Sequence, residues 1–238
     1  MKKFFILLLL IVFNAEAGYY YARSLDSETT YIHNLLLDDN AANTTVSNDG
    51  TGSDWTAGHN TSTYHSTTTC DSDDTFYLNT NNYYAYSAEN WTSEKFEMQF
   101  WVRFDSNSTG TFKLIAQIGD GGSGIDLNSF HIRVPSANPD EIELGIEGET
   151  AEALNRSTDF AFSGATCYKI KVELDASQSS CPVTVSHSTN GTDWTELTMA
   201  GWSTTPGACT FNNPVYIGSN TIYELDGRMN NFTMEDTE

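Results

Sequence analysis

The sequence has 238 residues, and 32 Asp and Glu residues against 11 Lys and Arg residues give it a formal net charge of −21. A charge of this size and sign repels nucleic acid and anionic membrane surfaces at long range, so we exclude both as partners. The length allows a full hydrophobic core in one large domain.

The N-terminus has the pattern of a secretory leader. Lys2 and Lys3 precede an uninterrupted apolar run over residues 4–13, and alanines stand at positions 15 and 17. This order of basic, apolar and small residues predicts a signal peptide over residues 1–17 and a secreted, extracellular mature chain. As a helix the apolar run would span only about 15 Å, about half of a bilayer's hydrocarbon core. We predict no membrane span in the mature chain.

The first part of the mature chain carries few signals of regular structure. We interpret residues 18–34 as an N-terminal lead-in and the three leucines at 35–37 as the first strand. Residues 38–74 are rich in Asn, Thr, Ser, Gly and Asp, which are typical of turns. This segment is therefore predicted to be a loop with short strands at most.

Short runs of alternating apolar and polar residues follow. In residues 96–104 every even position is apolar, and the odd positions hold Glu, Gln, Trp and Arg. Such alternation indicates strands with one buried and one polar face, as in antiparallel sheets. We therefore predict an all-β fold, a two-sheet antiparallel β-sandwich, as a single domain over residues 35–238. The further predicted strands cover residues 112–118, 130–134, 141–147, 168–174, 215–218 and 229–234, and one more opens with Val183 and Val185 and ends near the turn at 190–191.

An even number of cysteines in an exported chain suggests two disulfides among Cys70, Cys167, Cys181 and Cys209. Cys167 and Cys181 open two consecutive predicted strands. In a hairpin the starts of two strands lie about 20 Å apart, whereas a disulfide needs Cα atoms within about 7 Å. This argues against the pair Cys167–Cys181 and leaves the other two pairings open.

Five segments in series resemble those of bacterial and viral laminin-G-like domains, which belong to the concanavalin A-like jelly-roll family. Residues 96–103 (FEMQFWVR) are similar to a central strand of that family, and residues 226–234 (DGRMNNFTM) are similar to its closing strand. The resemblance implies a jelly roll with one slightly concave sheet and a role in binding glycan or protein, in some members with calcium. The other matching segments are 35–40 (LLLDDN) with 43–52 (NTTVSNDGTG), 76–79 with 83–85, and 215–218 (VYIG).

The resemblance also implies a place for calcium. In related jelly rolls a cation can hold the first loop to the last strand, and Ca²⁺ is bound by carboxylate, amide and carbonyl oxygens. Asp38, Asp39 and Asp236 are the predicted ligands. The alternative interpretation is that these are solvated loop acids.

Trp101 is the first candidate for a sugar contact. It lies on the polar side of a regular strand, where an exposed indole can stack on a sugar ring. Alternatively, the long loop 38–74 covers Trp101 and its role is structural. If their strands share one sheet, the other ligand-binding candidates lie on the same face, with Lys169 and Lys171 beside them: Arg103, His131, Arg133, Glu141 and Glu143.

A glycoside hydrolase on this fold needs closely spaced carboxylates on one strand. Glu141, Glu143 and Glu147 share one predicted face, but their spacing departs from the hydrolase pattern, so a solvated strand face is favoured. We therefore predict a secreted binding module without catalytic residues, with extracellular carbohydrate as the first ligand class. A structural or adhesion protein that binds protein is the alternative, and a hydrolase is the third.

Overall fold

The structure is a computed structural model that describes residues 31–58, 61, 65–70, 73–78, 85–105, 113–119, 128–135, 141–147, 152–218 and 227–238. The predicted signal peptide, the lead-in before residue 31 and residues 79–84 of a matching segment lie outside these ranges. No helix in the described ranges is long and apolar enough to span a membrane.

Strands account for nearly all regular structure in the described residues, which contain sixteen of them. The alternating segments form strands close to their predicted limits. The strands predicted at 96–104 and 168–174, for example, are each one residue longer at one end. The strands are β1 His33–Leu35, β2 Thr45–Val46, β3 Trp55–Ala57, β4 His65–Cys70, β5 Asp73–Leu78, β6 Ala85–Trp91, β7 Lys95–Phe104, β8 Lys113–Ile118, β9 Ser129–Val134, β10 Glu143–Glu147, β11 Glu152–Arg156, β12 Tyr168–Asp175, β13 Val183–Ser188, β14 Thr195–Glu196, β15 Asn213–Ile217 and β16 Gly227–Asp236.

Eight strands form the first sheet, which we call sheet 1. Its order is β14-β13-β12-β7-β16-β5-β4, and β1 also pairs with β16. A bulge in β16 between Asn230 and Thr233, where Asn231 has a φ of 49°, divides that strand. The bulge lies where the neighbour of β16 changes from β5 to β1. One strand can therefore pair with β7 over most of its length and with two partners on its other side.

The other eight strands form sheet 2, in the order β11-β10-β9-β8-β15-β6-β3-β2. The strand pairs of both sheets are antiparallel, so the predicted two-sheet antiparallel sandwich is confirmed. β8 to β11 follow one another as a meander, whereas β15 and β6 come from distant parts of the chain. Sheet 2 is therefore completed by pairing between strands that are far apart in the sequence.

The inner faces of the two sheets share one hydrophobic core. Phe96 of sheet 1 and Phe130 of sheet 2 meet edge to face, with ring centroids 5.3 Å apart. Within sheet 1, Phe100 stacks on Phe232 at 6.3 Å. These side chains are at most 1% exposed, and burying each one contributes about 2 kcal/mol. The apolar side of each alternating segment thus provides the core.

The structure differs from the prediction at the N-terminal end of the domain. The first strand spans residues 33–35 rather than 35–37, because Leu37 takes the left-handed φ of 60°. His33 and Asn34, which the prediction assigned to the lead-in, pair with β16. Residues 38–74 contain β2, β3, β4 and the start of β5, and β4 is longer than predicted, with six residues. Polar β-strands at a sheet edge lack the alternation on which the prediction depended.

One of the two predicted disulfides is present, between Cys70 and Cys167, whose Cα atoms are 5.7 Å apart. Cys181 and Cys209 are buried free thiols, so the prediction of a second disulfide is not met. Burial raises the pKa of Cys181 to about 12 and that of Cys209 to about 11. Because the thiolate is the reactive form, both groups should oxidise slowly at neutral pH.

Candidate ligand-binding site

The ligand-binding residues predicted from the sequence lie on opposite sides of the sandwich. Trp101 and Arg103 are on β7 in sheet 1, whereas His131, Arg133 and Glu143 are on β9 and β10 in sheet 2. The remaining candidate, Glu141, precedes β10 and lies outside the strand. The condition for a shared face, that these strands belong to one sheet, is therefore not met, because alternation shows which way a side chain points but not which sheet its strand joins.

The outer face of sheet 1 around Trp101 is covered. Trp101 is 2% exposed, and the backbone of Gly191 lies against its six-membered ring, where a Cβ would come within 3.1 Å of Cζ2. Across the ladder from Trp101, Asn230 donates from Nδ2 to the carbonyl of Cys70 at 2.8 Å. A buried indole cannot stack on a sugar ring, so we withdraw Trp101 as a sugar platform and favour its structural interpretation.

The Cys70–Cys167 disulfide helps to close this cover. β4 and β12 belong to the same sheet but are separated by three strands, roughly 19 Å in a flat sheet. The 5.7 Å separation of the two Cα atoms requires the end of the β4–β5 hairpin to fold over the outer face of sheet 1. We call this hairpin end, at Cys70 and Asp73, the hairpin cover.

The rest of the sheet 1 face is occupied by ion pairs and ring contacts. Arg103 lies 3.4 Å from Asp105, which also pairs with Arg228. The guanidinium of Arg228 sits 4.7 Å above the ring of Tyr77. Further along, the ammonium groups of Lys169 and Lys171 lie 5.9 and 5.7 Å from the ring of Trp194.

On the outer face of sheet 2, a buried carboxylate organises two arginines. Glu143 is fully buried, and its two oxygens accept hydrogen bonds from Nε of Arg133 at 2.6 Å and Nε of Arg156. Glu152 lies 3.6 Å from Nη2 of the same Arg133. These charge-assisted contacts fix both guanidinium groups in position.

His131 lies beside this cluster as a neutral imidazole. Burial, followed by the charge of Arg133, lowers the pKa of His131 to about 3. Its ring packs on Gly145, where a Cβ would come within 2.1 Å, so only glycine fits there. Nε2 is 3.6 Å from Glu152 and has no hydrogen-bond partner within the described residues. Because Nε2 is itself buried, His131 lines this part of the face as a fixed, uncharged side chain.

An aromatic pair on sheet 2 was missed by the sequence reasoning. Tyr86 and Tyr216 are half-buried register partners, with ring centroids 5.8 Å apart at 32°. The register continues from Tyr216 to Gln117 and from Gln117 to His131. Alternation could have found Tyr216, because it stands between the buried Val215 and Ile217. We call Tyr86, Tyr216, Gln117 and His131 the tyrosine row.

Glu147 faces Glu152 directly across the β10–β11 ladder. Burial and the charge of Glu152 raise the pKa of Glu147. Glu143 and Glu147 are four residues apart on one strand, about 13 Å between Cα atoms. Two arginines pair with the fully buried Glu143, so Glu143 neither forms a carboxylate pair with Glu147 nor belongs to the solvated strand face favoured from the sequence.

The three predicted calcium ligands do not converge. Asp39 accepts hydrogen bonds from the backbone and the hydroxyl of Ser47, each at 3.0 Å. Asp236 accepts a hydrogen bond from the hydroxyl of Ser93. The chain just before Asp38 is fixed elsewhere on β16, because the backbone N–H of Asn231 donates to the carbonyl of Leu36. Asn231 and Asp236 are five residues apart on the strand, about 16 Å, so Asp38 and Asp39 lie too far from Asp236 to share an ion with it. The described residues contain no His, Cys, Asp and Glu group suited to a metal.

Comparisons by sequence give no relatives: no protein-family model and no curated protein matches the chain. Comparisons by structure give likenesses of fold. The binding domain of botulinum neurotoxin serotype D/C VPI 5993 is 13% identical with a TM-score of 0.51, and the match covers 88% of this chain and 49% of that one. This chain thus spans about half the length of that domain.

Two further solved structures give weaker matches. Domains LG4-5 of the mouse laminin α1 chain are 12% identical with a TM-score of 0.45, and the match covers 67% of this chain and 40% of that one. The CBM40 of the Ruminococcus gnavus IT-sialidase, solved with α2,3-sialyllactose, is 12% identical with a TM-score of 0.44, covering 61% of this chain and 77% of that one. The likeness to the neurotoxin binding domain, with its TM-score of 0.51, is a likeness of fold, and the comparisons do not assign the chain to a family.

Proposed function

We propose that this chain is a secreted carbohydrate-binding module whose ligand lies across the outer face of sheet 2. The observation that carries the proposal is the tyrosine row, in which two half-buried phenol rings, an amide and an imidazole lie in continuous register across four strands. Three strand spacings give the row a length of about 14 Å, which suits a short oligosaccharide.

The rings and the polar groups suit different parts of a sugar. Tyr86 and Tyr216 are half-buried, and an aromatic face takes up the apolar face of a sugar ring, while each phenol can bond a hydroxyl. His131, at the other end of the row, ends it with a buried, uncharged side chain. Gly145 packs against that imidazole and limits its movement, and a pre-ordered site loses less entropy on binding.

Two features support an extracellular location. The N-terminal sequence has the order of a cleavable leader, and a disulfide joins Cys70 to Cys167. Disulfides persist in oxidising compartments, where glycans are also displayed.

The test is a glycan array probed with the purified chain after export, followed by titration of the glycan that binds best. Tyr216→Ala should weaken binding about tenfold, because one stacking contact is worth about 1.4 kcal/mol. The matched control is Trp194→Ala, which removes a half-buried ring from sheet 1 and should leave affinity unchanged. Equal losses in the two folded variants, or no glycan binding at all, would contradict the proposal.

A hydrolase is the second candidate, favoured by the facing carboxylates of Glu147 and Glu152. Such a pair, in which one pKa is raised, is the arrangement that acid–base catalysis uses. Incubating the glycans that bind with the chain and with Glu147→Gln would decide between binding and hydrolysis. Cleavage lost in Glu147→Gln would support the hydrolase, whereas intact glycans with both proteins would support binding alone.

A further inference from the structure

The positive charges of this chain can be accounted for one by one. Of the 11 Lys and Arg residues, Lys2, Lys3 and Arg23 precede residue 31, and the other eight all lie within the described residues. The undescribed ranges between residues 59 and 226 contain Asp and Glu but no Lys or Arg. The structure therefore describes every Lys and Arg side chain after residue 31.

On sheet 1, four of these cations have acidic partners. Lys95 lies 3.7 Å from Asp175, and Lys171 lies 3.0 Å from Glu173 and 3.9 Å from Glu97. Arg103 and Arg228 share Asp105, as described above. The fifth, Lys169, packs beside the ring of Trp194.

On sheet 2, acids outnumber bases at the site. Arg133 and Arg156 both pair with Glu143, and Glu152 and Glu147 adjoin them, so two positive charges face three carboxylates. Lys113 is only 3% exposed and lies 5.6 Å from the ring of Phe104 in the core. His131 adds no charge at neutral pH, because burial keeps its imidazole unprotonated.

From this pairing, and resting on the proposed function, we infer that the sheet 2 site takes uncharged glycans and rejects sialylated, sulfated and uronate-containing ones. An acidic sugar would need a cation not already neutralised, and each arginine at the site already faces a carboxylate. Separating the buried pair of Arg133 and Glu143, whose side chains are 11% and 0% exposed, would leave a desolvated charge, which opposes binding. The net charge of −21 adds long-range repulsion of anions.

The experiment uses a glycan array in which each neutral structure is present beside its sialylated, sulfated or uronate counterpart. Binding of neutral glycans, with at least about tenfold weaker binding of their acidic counterparts, is the expected result. Tighter binding of the acidic members would overturn this inference and leave the proposed function standing. Failure to bind any glycan would overturn both.

A charge variant tests whether the carboxylates of the sheet 2 cluster cause the rejection of acidic glycans. Glu152→Gln removes one carboxylate from the cluster and releases Nη2 of Arg133, so binding of acidic glycans should rise at least about threefold. Glu173→Gln is the matched control, because it also removes a partner of a cation but lies on sheet 1. Equal gains in the two variants would show that net charge alone excludes acidic glycans and would overturn the role given to the cluster.

Salt provides an independent readout. The affinity of an uncharged ligand should stay constant between about 50 mM NaCl, where screening is weak, and about 500 mM NaCl, where it is strong. An uncharged ligand has no charge for the salt to screen. A fall in affinity of about tenfold over this range would indicate an ionic contact with the ligand and would overturn the inference.

Discussion

His33 connects a single buried residue to the pH range in which the fold is stable. Its side chain is 2% exposed, and Nδ1 accepts a hydrogen bond from Nε1 of Trp55 at 3.2 Å. Burial lowers the pKa of His33 to about 4 from an ordinary value of 6.5. The unfolded chain therefore binds a proton near pH 6.5, whereas the folded chain does so only near pH 4.

The expected result is a loss of stability as the pH falls from about 6.5 to about 4. Over that window the unfolded state gains a proton that the folded state excludes, so His33 alone lowers the free energy of unfolding by about 3 kcal/mol. Urea unfolding at pH 7, 5.5 and 4 would measure this. His33→Gln, which can still accept from Trp55, should show a smaller pH dependence, whereas Trp91→Phe, a ring beside His33, should shift stability without changing the slope. Identical slopes in His33→Gln and the unmodified chain would contradict the assignment.

Trp101 shows at the same scale what the sequence can and cannot predict. Alternation correctly placed it on the outer face of a strand, because neighbouring residues on β7 face the core. Its exposure depended on Gly191 and Cys70, which are distant in the chain and reach it only through turns and a disulfide. Tyr216 carries the same alternation signal in a shorter strand, so direction alone could not rank one candidate above the other.

Among the elements, the hairpin cover is the one that the disulfide controls. Breaking the Cys70–Cys167 bond removes a cross-link between residues 97 apart in the sequence, and chain-entropy arguments assign such a link about 4.7 kcal/mol. The end of the β4–β5 hairpin is then held over sheet 1 only by contacts such as the bond from Asn230 to Cys70. We expect reduction to loosen the cover and expose Trp101 while the sandwich stays folded.

Tryptophan fluorescence can test this expectation. In a Cys70→Ser/Cys167→Ser variant, acrylamide quenching should increase and emission should shift to the red, and both changes should be absent when Trp101→Phe is added. The buried thiols of Cys181 and Cys209 serve as an internal control, because they become reactive only if the core opens. Unchanged quenching would show that the cover stays closed without the bond, and thiol reaction at the same rate as quenching would show global unfolding instead.

The elements themselves were predictable in proportion to their alternation. β7, β9 and β12 have strict two-residue periodicity and one buried face, so their limits follow from the sequence. β1 has only three residues and β4 is largely Ser and Thr, so neither carries a periodic apolar signal. Their positions are set by pairing with β16 and β5, which is a tertiary effect.

For the whole molecule, the division of strands between sheets decided where a site could form. The predicted binding residues came from β7, β9 and β10, but the chain crosses from sheet 1 to sheet 2 after β7 and returns at β12. Nothing in the local pattern marks these crossings, because strands in both sheets alternate in the same way. The architecture could thus be predicted from the sequence, whereas the grouping of side chains into one face could not.

The excess of negative charge should limit stability at low ionic strength. With most cations already paired, the remaining carboxylates repel one another in the compact state more than in the expanded unfolded chain. Raising NaCl from about 10 mM to about 500 mM shortens the screening length severalfold, so we expect stabilisation on the order of 1 kcal/mol, seen as a rise in Tm of about 2–4 °C. Adding 5 mM CaCl2 or 5 mM MgCl2, about the ionic strength of 15 mM NaCl, separates screening from site binding. Screening by the two divalent ions should be alike, whereas a larger rise in Tm with calcium would show a selective cation site and contradict a purely screened repulsion.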